Sequence, residues 1–346
     1  MSDMATRQVV VSAPGVVTLQ EASTPTPGPG EVRMRMSAVG VCGSDVHALH
    51  GRHPTIALPY QPGHEIVGIV DATAPDVDIP VGTRAIIDPI AACGNCKYCR
   101  DGRYNICATV SFFGCSTPTG GLADYFTIRA DQVVTVPPEL SDVQAVLIEP
   151  LATPVHAVRL AGPDLTGKTV AILGAGTIGL LTLAVARRCG AQRIAMSDVS
   201  EVKRRLARRL GADSVHDAAS PDMVSAIRDD LGTSADIVFD CVSVQATVDQ
   251  AVELATKGGT VVVVGVPPAP VTVALPTIQD LQIRLQGSAT YTRHDFGEAM
   301  DMLRAGLVRP EDFVTARYPL TKVAEAFDDA AGGQQVKVVV LADDGA

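Results

Sequence analysis

The sequence predicts an α/β protein with two domains, one rich in β-structure and one built on a doubly wound parallel sheet. A chain of 346 residues is long enough to form two hydrophobic cores. Residues 1–150 contain short apolar runs with alternating pattern, separated by Pro/Gly turns such as "TPTPGPG", which is typical of half-buried strands. Residues 165–290 instead alternate continuous β-branched runs with helical stretches. That alternation predicts buried parallel strands in βαβ units.

The composition argues against two classes of binding partner, nucleic acids and membranes. Apolar residues make up 47% of the chain, charged residues 19%, and the net charge is −10, which argues against a nucleic-acid partner. The chain has no signal-peptide pattern at its start, and no apolar run approaches the roughly 18 residues of a membrane span. We therefore expect a cytoplasmic protein with no membrane partner and with reduced thiols.

The segment "ACGNCKYCRDGRYNICA" concentrates half of the eight cysteines in the pattern C-x2-C-x2-C-x7-C. Four thiolates at such short spacing can surround a zinc ion, and the first three spacings also suit an iron–sulfur cluster. Zinc is favoured because the bacterial cluster motif continues with Pro, whereas Ala108 follows the last cysteine here. Four sulfur ligands leave no position for a substrate, so we expect a structural zinc lobe over residues 91–108. Its ligands are Cys93, Cys96, Cys99 and Cys107.

A glycine motif follows the first parallel strand, in "VAILGAGTIG". Gly174, Gly176 and Gly179 form G-x-G-x-x-G between a strand and a helix, with Thr177 and Ile178 at the helix start. In this pattern the glycines allow a tight turn, a close approach to a pyrophosphate and close packing of helix on strand. The amide groups at the helix N-terminus then bind the phosphates. The motif predicts a dinucleotide site.

An acidic residue indicates which dinucleotide is preferred, and its alternative interpretation is an acid at the N-terminus of the next helix. Asp198 ends the next strand, "RIAMSD", 19 residues after Gly179. Its carboxylate can accept hydrogen bonds from both ribose hydroxyls and would repel a 2′-phosphate, so NAD is favoured over NADP. Lys203 is a candidate to lie over the adenosine ribose, or an ordinary surface lysine.

A catalytic metal needs an open position and mixed ligands. Residues of suitable type occur in the segments "GVCGSDVH", "PGHEIVG" and "IEPLATP". The candidates are Cys42, His64, Glu65 and Glu149. The spacing of these residues alone does not predict that their side chains lie close together in the fold.

Taken together, the motifs resemble those of one enzyme family. The combination comprises "PGPGEV", "GVCGSDVH", "PGHEIVG", the four-cysteine lobe, "GGLADY", "EPLAT" and "GAGTIG". It is similar to the zinc-containing medium-chain alcohol dehydrogenases from about residue 25 to the C-terminus. The His-Glu pair and the "EPL" motif resemble the polyol (sorbitol) dehydrogenase branch, with its threonine and butanediol dehydrogenase relatives.

The resemblance implies a domain organisation and a set of cofactors. Residues 1–152 and 291–346 would form a GroES-like catalytic domain, and residues 153–290 a Rossmann domain that binds NAD. Each chain would hold two zinc ions, one catalytic and one structural. Both dimers and tetramers occur in the family, so a homo-oligomer is expected.

The resemblance also implies roles at the catalytic zinc. Cys42 and His64 would hold the metal together with Glu65 or a water molecule. Glu149 matches a position that is a direct ligand in some members and acts through water in others, and Glu65 and Glu149 can exchange during turnover.

Further residues match the family's proton relay and substrate pocket. Ser44 and His47 would relay the proton to solvent through the nicotinamide ribose, and Thr153 would lie behind the nicotinamide. The expected pocket residues are Phe112, Phe113, Tyr291 and Arg293. The branch usually carries an Arg-Tyr pair where this chain has Thr290 and Tyr291, with Arg293 displaced by two positions.

These expectations combine into an NAD-dependent zinc dehydrogenase that oxidises a secondary hydroxyl of a polyol, sugar alcohol or cyclitol to the ketone. Threonine or a vicinal diol such as butanediol is the alternative substrate within the family. A non-catalytic dinucleotide- or zinc-binding protein is a remote alternative, because such a protein would tend to lose the set Cys42, Ser44, His64 and Glu65.

Overall fold

A computed structural model describes residues 5–343 of the chain and divides them into two compact units. Unit 1 comprises residues 5–149 and 300–343, and unit 2 comprises residues 150–299. Unit 1 is rich in antiparallel strands and unit 2 has a wholly parallel sheet. The predicted α/β fold class is thereby confirmed.

Seventeen strands are present in the described residues. In chain order they are β1 Ala5–Ala13, β2 Val16–Ser23, β3 Glu31–Val41, β4 Glu65–Thr73, β5 Arg84–Ile87, β6 Ile90–Ala91, β7 Ser111–Phe112, β8 Tyr125–Arg129, β9 Val133–Thr135, β10 Thr169–Leu173, β11 Arg193–Asp198, β12 Ser214–Asp217, β13 Ala235–Asp240, β14 Ala255–Val263, β15 Arg284–Gly287, β16 Val314–Pro319 and β17 Lys337–Leu341.

Twelve α-helices occur in the same part of the chain. They are α1 Gly43–Leu49, α2 Lys97–Arg100, α3 Asp142–Ala145, α4 Ile148–Ala161, α5 Thr177–Arg188, α6 Glu201–Arg209, α7 Met223–Leu231, α8 Gln245–Leu254, α9 Leu275–Asp280, α10 Arg293–Arg304, α11 Pro310–Phe313 and α12 Val323–Ala331. None of these helices has the length and apolar character needed to cross a membrane.

Unit 1 is organised around a seven-stranded sheet with the order β16-β17-β3-β4-β5-β9, to which β8 adds by pairing with β3. Strand β3 alternates partly buried and buried residues over most of its length, as expected for a strand with one face on a core. The last strand, β17, pairs antiparallel with β3. As a result Gly40 of β3 lies between Val339 on one side and Glu65 on the other.

Unit 2 contains a six-stranded parallel sheet with the order β12-β11-β10-β13-β14-β15. All five residues of β10 are buried, because helices pack on both faces of such a sheet. The direction of winding reverses between β10 and β13. In open parallel sheets ligands bind at the carboxyl ends of the strands at this reversal. The glycine motif begins there, directly after β10.

Candidate metal centres and dinucleotide site

The cysteine lobe lies between β6 and β7 and is formed by one continuous segment. Its four sulfur atoms lie within 4.8 Å of one another, and none is in a disulfide. Individual Sγ–Sγ distances are 3.5 Å for Cys96–Cys99, 3.5 Å for Cys93–Cys107 and 3.9 Å for Cys96–Cys107. Zn–S bonds of about 2.3 Å in a tetrahedron set sulfur–sulfur distances of about 3.8 Å. The cluster therefore has the dimensions of a tetrahedral four-sulfur zinc site.

Backbone amides favour the thiolate form of Cys107 and Cys96, whereas burial and the neighbouring thiols raise the pKa of Cys99. The Sγ atom of Cys107 accepts hydrogen bonds from the amides of Cys93 at 3.3 Å and Thr109 at 3.5 Å, which lower the pKa of the Cys107 thiol. Amide donors from Ala108 and Cys99 lower the pKa of Cys96 to about 6. Because the thiolate is the form that ligates metal, this backbone geometry suits metal binding.

The second centre brings together a thiol, an imidazole and a carboxylate from separate elements of unit 1. Cys42 joins β3 to α1, His64 directly precedes β4, and Glu65 begins β4. Their ligand atoms lie within 4.8 Å of one another. His64 is 3% exposed and Glu65 1% exposed. Three protein donors of mixed type suit a zinc ion that keeps one position open.

Lys337 of β17 is the counter-ion of this centre, and sequence reasoning missed it. Its Nζ atom lies 2.6 Å and 2.7 Å from the two carboxylate oxygens of Glu65 and also donates to the Val41 carbonyl at 3.2 Å. Burial opposes the charge of this lysine, but the Glu65 carboxylate outweighs it and the pKa of Lys337 is raised. A lone lysine inside the apolar run "VKVVVL" was the available signal, since a buried cation needs a partner.

Gly40 gives Glu65 the space it occupies. A Cβ atom at position 40 would overlap Oε2 of Glu65 and would also lie 3.2 Å from its Cβ. Any residue larger than glycine must displace the carboxylate or the backbone of β3. The glycine before Val41 and Cys42 is therefore part of the construction of the centre.

Several buried and half-buried side chains surround His64. The Sγ atom of Cys115 lies 3.5 Å from its Nδ1 atom, and the Phe112 ring meets the imidazole edge-on at 5.4 Å. Asp45, which is fully buried, accepts hydrogen bonds from the Cys42 amide at 3.0 Å and the Tyr60 hydroxyl at 3.1 Å. Burial lowers the pKa of His64, yet the charges of Cys115, Asp45 and Cys42 raise it well above its usual range. Metal binding at this histidine would therefore release a proton.

The remaining predicted residues of unit 1 are not part of this group of ligand atoms. Ser44 and His47 are on α1, with Ser44 half-buried and His47 exposed. Glu149 is buried near the start of α4, but it does not belong to the described group whose ligand atoms lie within 4.8 Å. Phe113 is buried in the core of unit 1, where its ring centroid lies 5.5 Å from that of Phe126.

In unit 2 the three glycines of the motif meet three different spatial demands. Gly174 has a φ of +92°, and a Cβ there would lie 2.6 Å from the Val242 side chain. A Cβ at Gly179 would overlap the carbonyl oxygen of Gly174, so helix α5 could not pack so closely on β10. Gly176 caps α5 and has no atom within 4 Å of its Cβ position, which leaves its backbone open to a ligand. This is the arrangement that a pyrophosphate needs.

Asp198 ends β11 next to this turn. Its Oδ2 atom accepts a hydrogen bond from the Ala175 amide at 2.7 Å, and Oδ1 accepts from the Ser200 amide at 2.8 Å. A carboxylate has about four acceptor positions, so both oxygens keep capacity for ribose hydroxyls. Lys203 lies in the first turn of α6 and is half-buried.

The other predicted residues of unit 2 are separate from the glycine turn in sequence. Thr153 lies on α4 and is half-buried. Tyr291 is 1% exposed, with its ring centroid 5.0 Å from that of Phe296, and Arg293 is exposed at the start of α10.

Comparison with known proteins agrees with both halves of this description. Residues 28–138 match the model of the alcohol dehydrogenase GroES-like domain, and residues 177–305 match that of the zinc-binding dehydrogenase domain. Human sorbitol dehydrogenase is 33% identical over 344 residues, covering 97% of this chain and 95% of the relative. L-idonate 5-dehydrogenase from Vitis vinifera is 32% identical over 341 residues, covering 94% and 92%.

A solved structure shows the same fold throughout. It is that of a Sinorhizobium meliloti 1021 protein assigned as a zinc-binding dehydrogenase and bound to NADP. It superposes with a TM-score of 0.90 at 34% identity and covers 98% of this chain and 99% of the other. The chain therefore belongs to the zinc-containing medium-chain alcohol dehydrogenase superfamily, in its polyol dehydrogenase branch.

Proposed function

We propose that this protein is an NAD-dependent zinc dehydrogenase that oxidises a secondary hydroxyl of a polyol, sugar alcohol or cyclitol to the ketone. The observation that carries the proposal is the group Cys42, His64 and Glu65, whose ligand atoms lie within 4.8 Å of one another. Three donors of mixed type would leave a fourth zinc position for the alcohol. Sorbitol and L-idonate dehydrogenases that align over nearly the whole chain support the polyol class.

In this proposal each residue of the centre has a distinct task. Cys42 and His64 hold the zinc ion, and Cys115 and Phe112 fix the orientation of the His64 ring. Glu65 is a third donor whose charge Lys337 balances. Glu149 is the alternative carboxylate donor to zinc, since it is buried and its charge helps to raise the pKa of Lys337. A zinc ion in such a site lowers the pKa of an alcohol toward neutrality.

The proton that the alcohol loses must reach water. Ser44 and His47 are separated by less than one turn of α1, and the exposed His47 can pass a proton to solvent. Partial burial of the ring and the neighbouring charges of Arg52 and His50 lower the pKa of His47, which favours the neutral imidazole that can accept that proton.

Unit 2 would bind the dinucleotide. Gly174, Gly176 and Gly179, with Thr177 and Ile178, would receive the pyrophosphate, and Thr153 would lie against the nicotinamide. Asp198 favours NAD, because a 2′-phosphate beside this carboxylate would bring two negative charges together. The S. meliloti structure contains NADP, and turnover with NAD and with NADP would measure which dinucleotide this chain prefers.

We also propose the organisation in which these sites work. Residues 1–152 and 291–346 would be the catalytic domain, with Cys93, Cys96, Cys99 and Cys107 as its structural zinc ligands. Residues 153–290 would be the NAD-binding domain. The assembly would be a cytoplasmic homodimer or homotetramer.

The test is NAD reduction by the zinc-loaded protein with polyols, cyclitols, vicinal diols and threonine, repeated with NADP and with Cys42→Ala. We expect turnover of a polyol or cyclitol that requires NAD and is lost in the variant. Preferred turnover of threonine or butanediol would keep the reaction class and overturn the substrate. No turnover of any alcohol by a protein that binds both zinc and NAD would reject the proposal.

A further inference from the structure

The segment between the candidate zinc ligands Cys42 and His64 is poor in acidic residues. The chain carries 38 acidic and 28 basic residues, yet no Asp or Glu occurs between Asp45 and Glu65. We refer to residues 46–63, which comprise the end of α1 and the loop that follows it, as the basic loop. Its cationic and imidazole side chains are Arg52, His47, His50 and His53. In a protein of net charge −10, a loop of this kind at the metal centre is a local reversal of sign.

The basic loop is held in one place by the hairpin β1–β2. Its first part is fixed where the Gly15 amide donates to the Leu49 carbonyl at 2.8 Å. Its last part is fixed by paired backbone hydrogen bonds between Tyr60 and Val11 at 3.0 Å and 3.1 Å. Ile56 in its middle is buried in the core of unit 1. Arg52 and the three histidines are therefore carried on an anchored backbone.

His53 is fixed in one tautomer by this backbone. Its Nδ1 atom accepts hydrogen bonds from the amides of Thr55 at 3.3 Å and Ile56 at 3.2 Å. A nitrogen that accepts from an amide carries no proton, so in the neutral ring the proton is on Nε2. Within residues 5–343, Nε2 of His53 has no hydrogen-bond partner. The ring is half-buried, and it is close enough to His47 and His64 to interact with them electrostatically.

Arg52 precedes His53 and is exposed. Its amide donates to the His47 carbonyl at 2.8 Å, which fixes its backbone to the end of α1. The guanidinium has neither an ion pair nor a hydrogen bond in the described part of the chain. A permanently charged donor fork without a carboxylate partner is suited to bind an oxyanion in two places.

We infer that Arg52 and His53 bind an anionic group, a carboxylate or a phosphate, on the polyol that this enzyme oxidises. The inference rests on the proposed function and narrows its substrate class to acidic sugar derivatives. Arg52 supplies the charge, and the Nε2–H group of His53 supplies an oriented donor. The reacting hydroxyl lies elsewhere on the same substrate, toward Cys42 and His64.

The experiment compares kcat/KM of the zinc-loaded enzyme with NAD for three matched series: hexitols, hexonates and hexitol phosphates. We expect kcat/KM of a charged series to exceed that of the hexitols by at least about tenfold, since hydrogen bonds between charged groups are stronger than those between neutral ones. In Arg52→Gln the ratio of charged to neutral kcat/KM should fall about 10- to 100-fold, with Arg52→Lys retaining part of it. His53→Phe should lower the same ratio.

Arg317→Gln is the matched control. Arg317 is an exposed arginine on β16 of the same unit, and within the described residues it also forms no ion pair. Its replacement should leave the ratio unchanged. The advantage of the charged series should also fall as the salt concentration rises.

The outcomes separate this inference from the proposed function. Equal kcat/KM for charged and neutral series, unchanged by Arg52→Gln, would overturn the inference while the dehydrogenase function stands. If none of the compounds is oxidised, calorimetric titration of the zinc- and NADH-loaded protein with a hexonate and a hexitol phosphate decides. Binding that Arg52→Gln abolishes would support the inference, and no binding of either compound would overturn it. The compound that binds more tightly identifies carboxylate or phosphate.

Discussion

The two candidate zinc sites of unit 1 are built in opposite ways. The cysteine lobe takes all four donors from residues 93–107 and exposes part of them to solvent. The second centre takes Cys42 from the end of β3 and His64–Glu65 from the start of β4, and both residues of the pair are buried. Its counter-ion, Lys337, is 272 residues away from Glu65. One site is encoded in a short segment, whereas the other depends on the whole sheet.

The difference in burial changes what each site needs. Four thiolates around a zinc ion leave a net charge of −2, which the exposed lobe can share with water and backbone amides. A buried centre cannot, because an unpaired charge away from water is costly. The ammonium of Lys337 offsets the Glu65 carboxylate, so this carboxylate is not left as an unpaired buried charge.

The largest effect should come from removing a donor of the buried centre. We expect His64→Ala to lower kcat/KM by about 10⁴-fold, because about 5.5 kcal/mol of electrostatic stabilisation depends on a correctly held metal. NADH binding, measured by fluorescence, should persist because it resides in unit 2. His294→Ala, at an exposed histidine of unit 2, is the control and should keep full activity. An active His64→Ala enzyme would show that the buried centre does not hold the catalytic zinc.

Replacing the counter-ion should destabilise the fold. In Lys337→Met the buried Glu65 carboxylate loses its partner, and we expect the free energy of unfolding to fall by about 3–5 kcal/mol. Denaturant unfolding of the metal-free protein measures this, because zinc would otherwise take the place of the lost partner. Lys257→Met, at an exposed position, is the control. Adding Glu65→Gln to Lys337→Met should restore part of the loss, because no unpaired charge remains. If the single variant is as stable as the parent, the ion pair does not support the centre.

A methyl group at Gly40 tests how tightly the buried centre is built. Gly40→Ala puts a Cβ into the Glu65 carboxylate, and overpacking of this kind costs about 1–3 kcal/mol of stability. Because Glu65 must move, zinc should also be lost more readily to a chelator. Gly287→Ala in β15 is the matched control, since a Cβ there meets no atom within 4 Å. Equal behaviour of the two variants would mean that Glu65 has room to move.

These differences explain which features were predictable from sequence. The cysteine lobe and the glycine motif are each formed by one continuous segment, so the spacing of their residues predicted their geometry. The continuous apolar runs predicted the buried strands of the parallel sheet. Cys42 and His64 are separated by a helix and a loop, and only the resemblance to a family connected them. Lys337, Gly40 and Cys115 were missed, because their roles come from strand register and side-chain packing.

The smallest effect on turnover should come from the lobe. Cys96→Ser removes one of four sulfur donors, so we expect one zinc per chain to be lost and the protein to unfold more readily. Turnover per folded chain should fall by less than about tenfold, or about 1.4 kcal/mol, since no position of the lobe is open to substrate. Zinc analysis and kcat/KM on the folded fraction measure both, with Cys189→Ser, outside both clusters, as control. A folded Cys96→Ser enzyme that retains its buried zinc but has lost turnover would assign the lobe a part in the reaction itself.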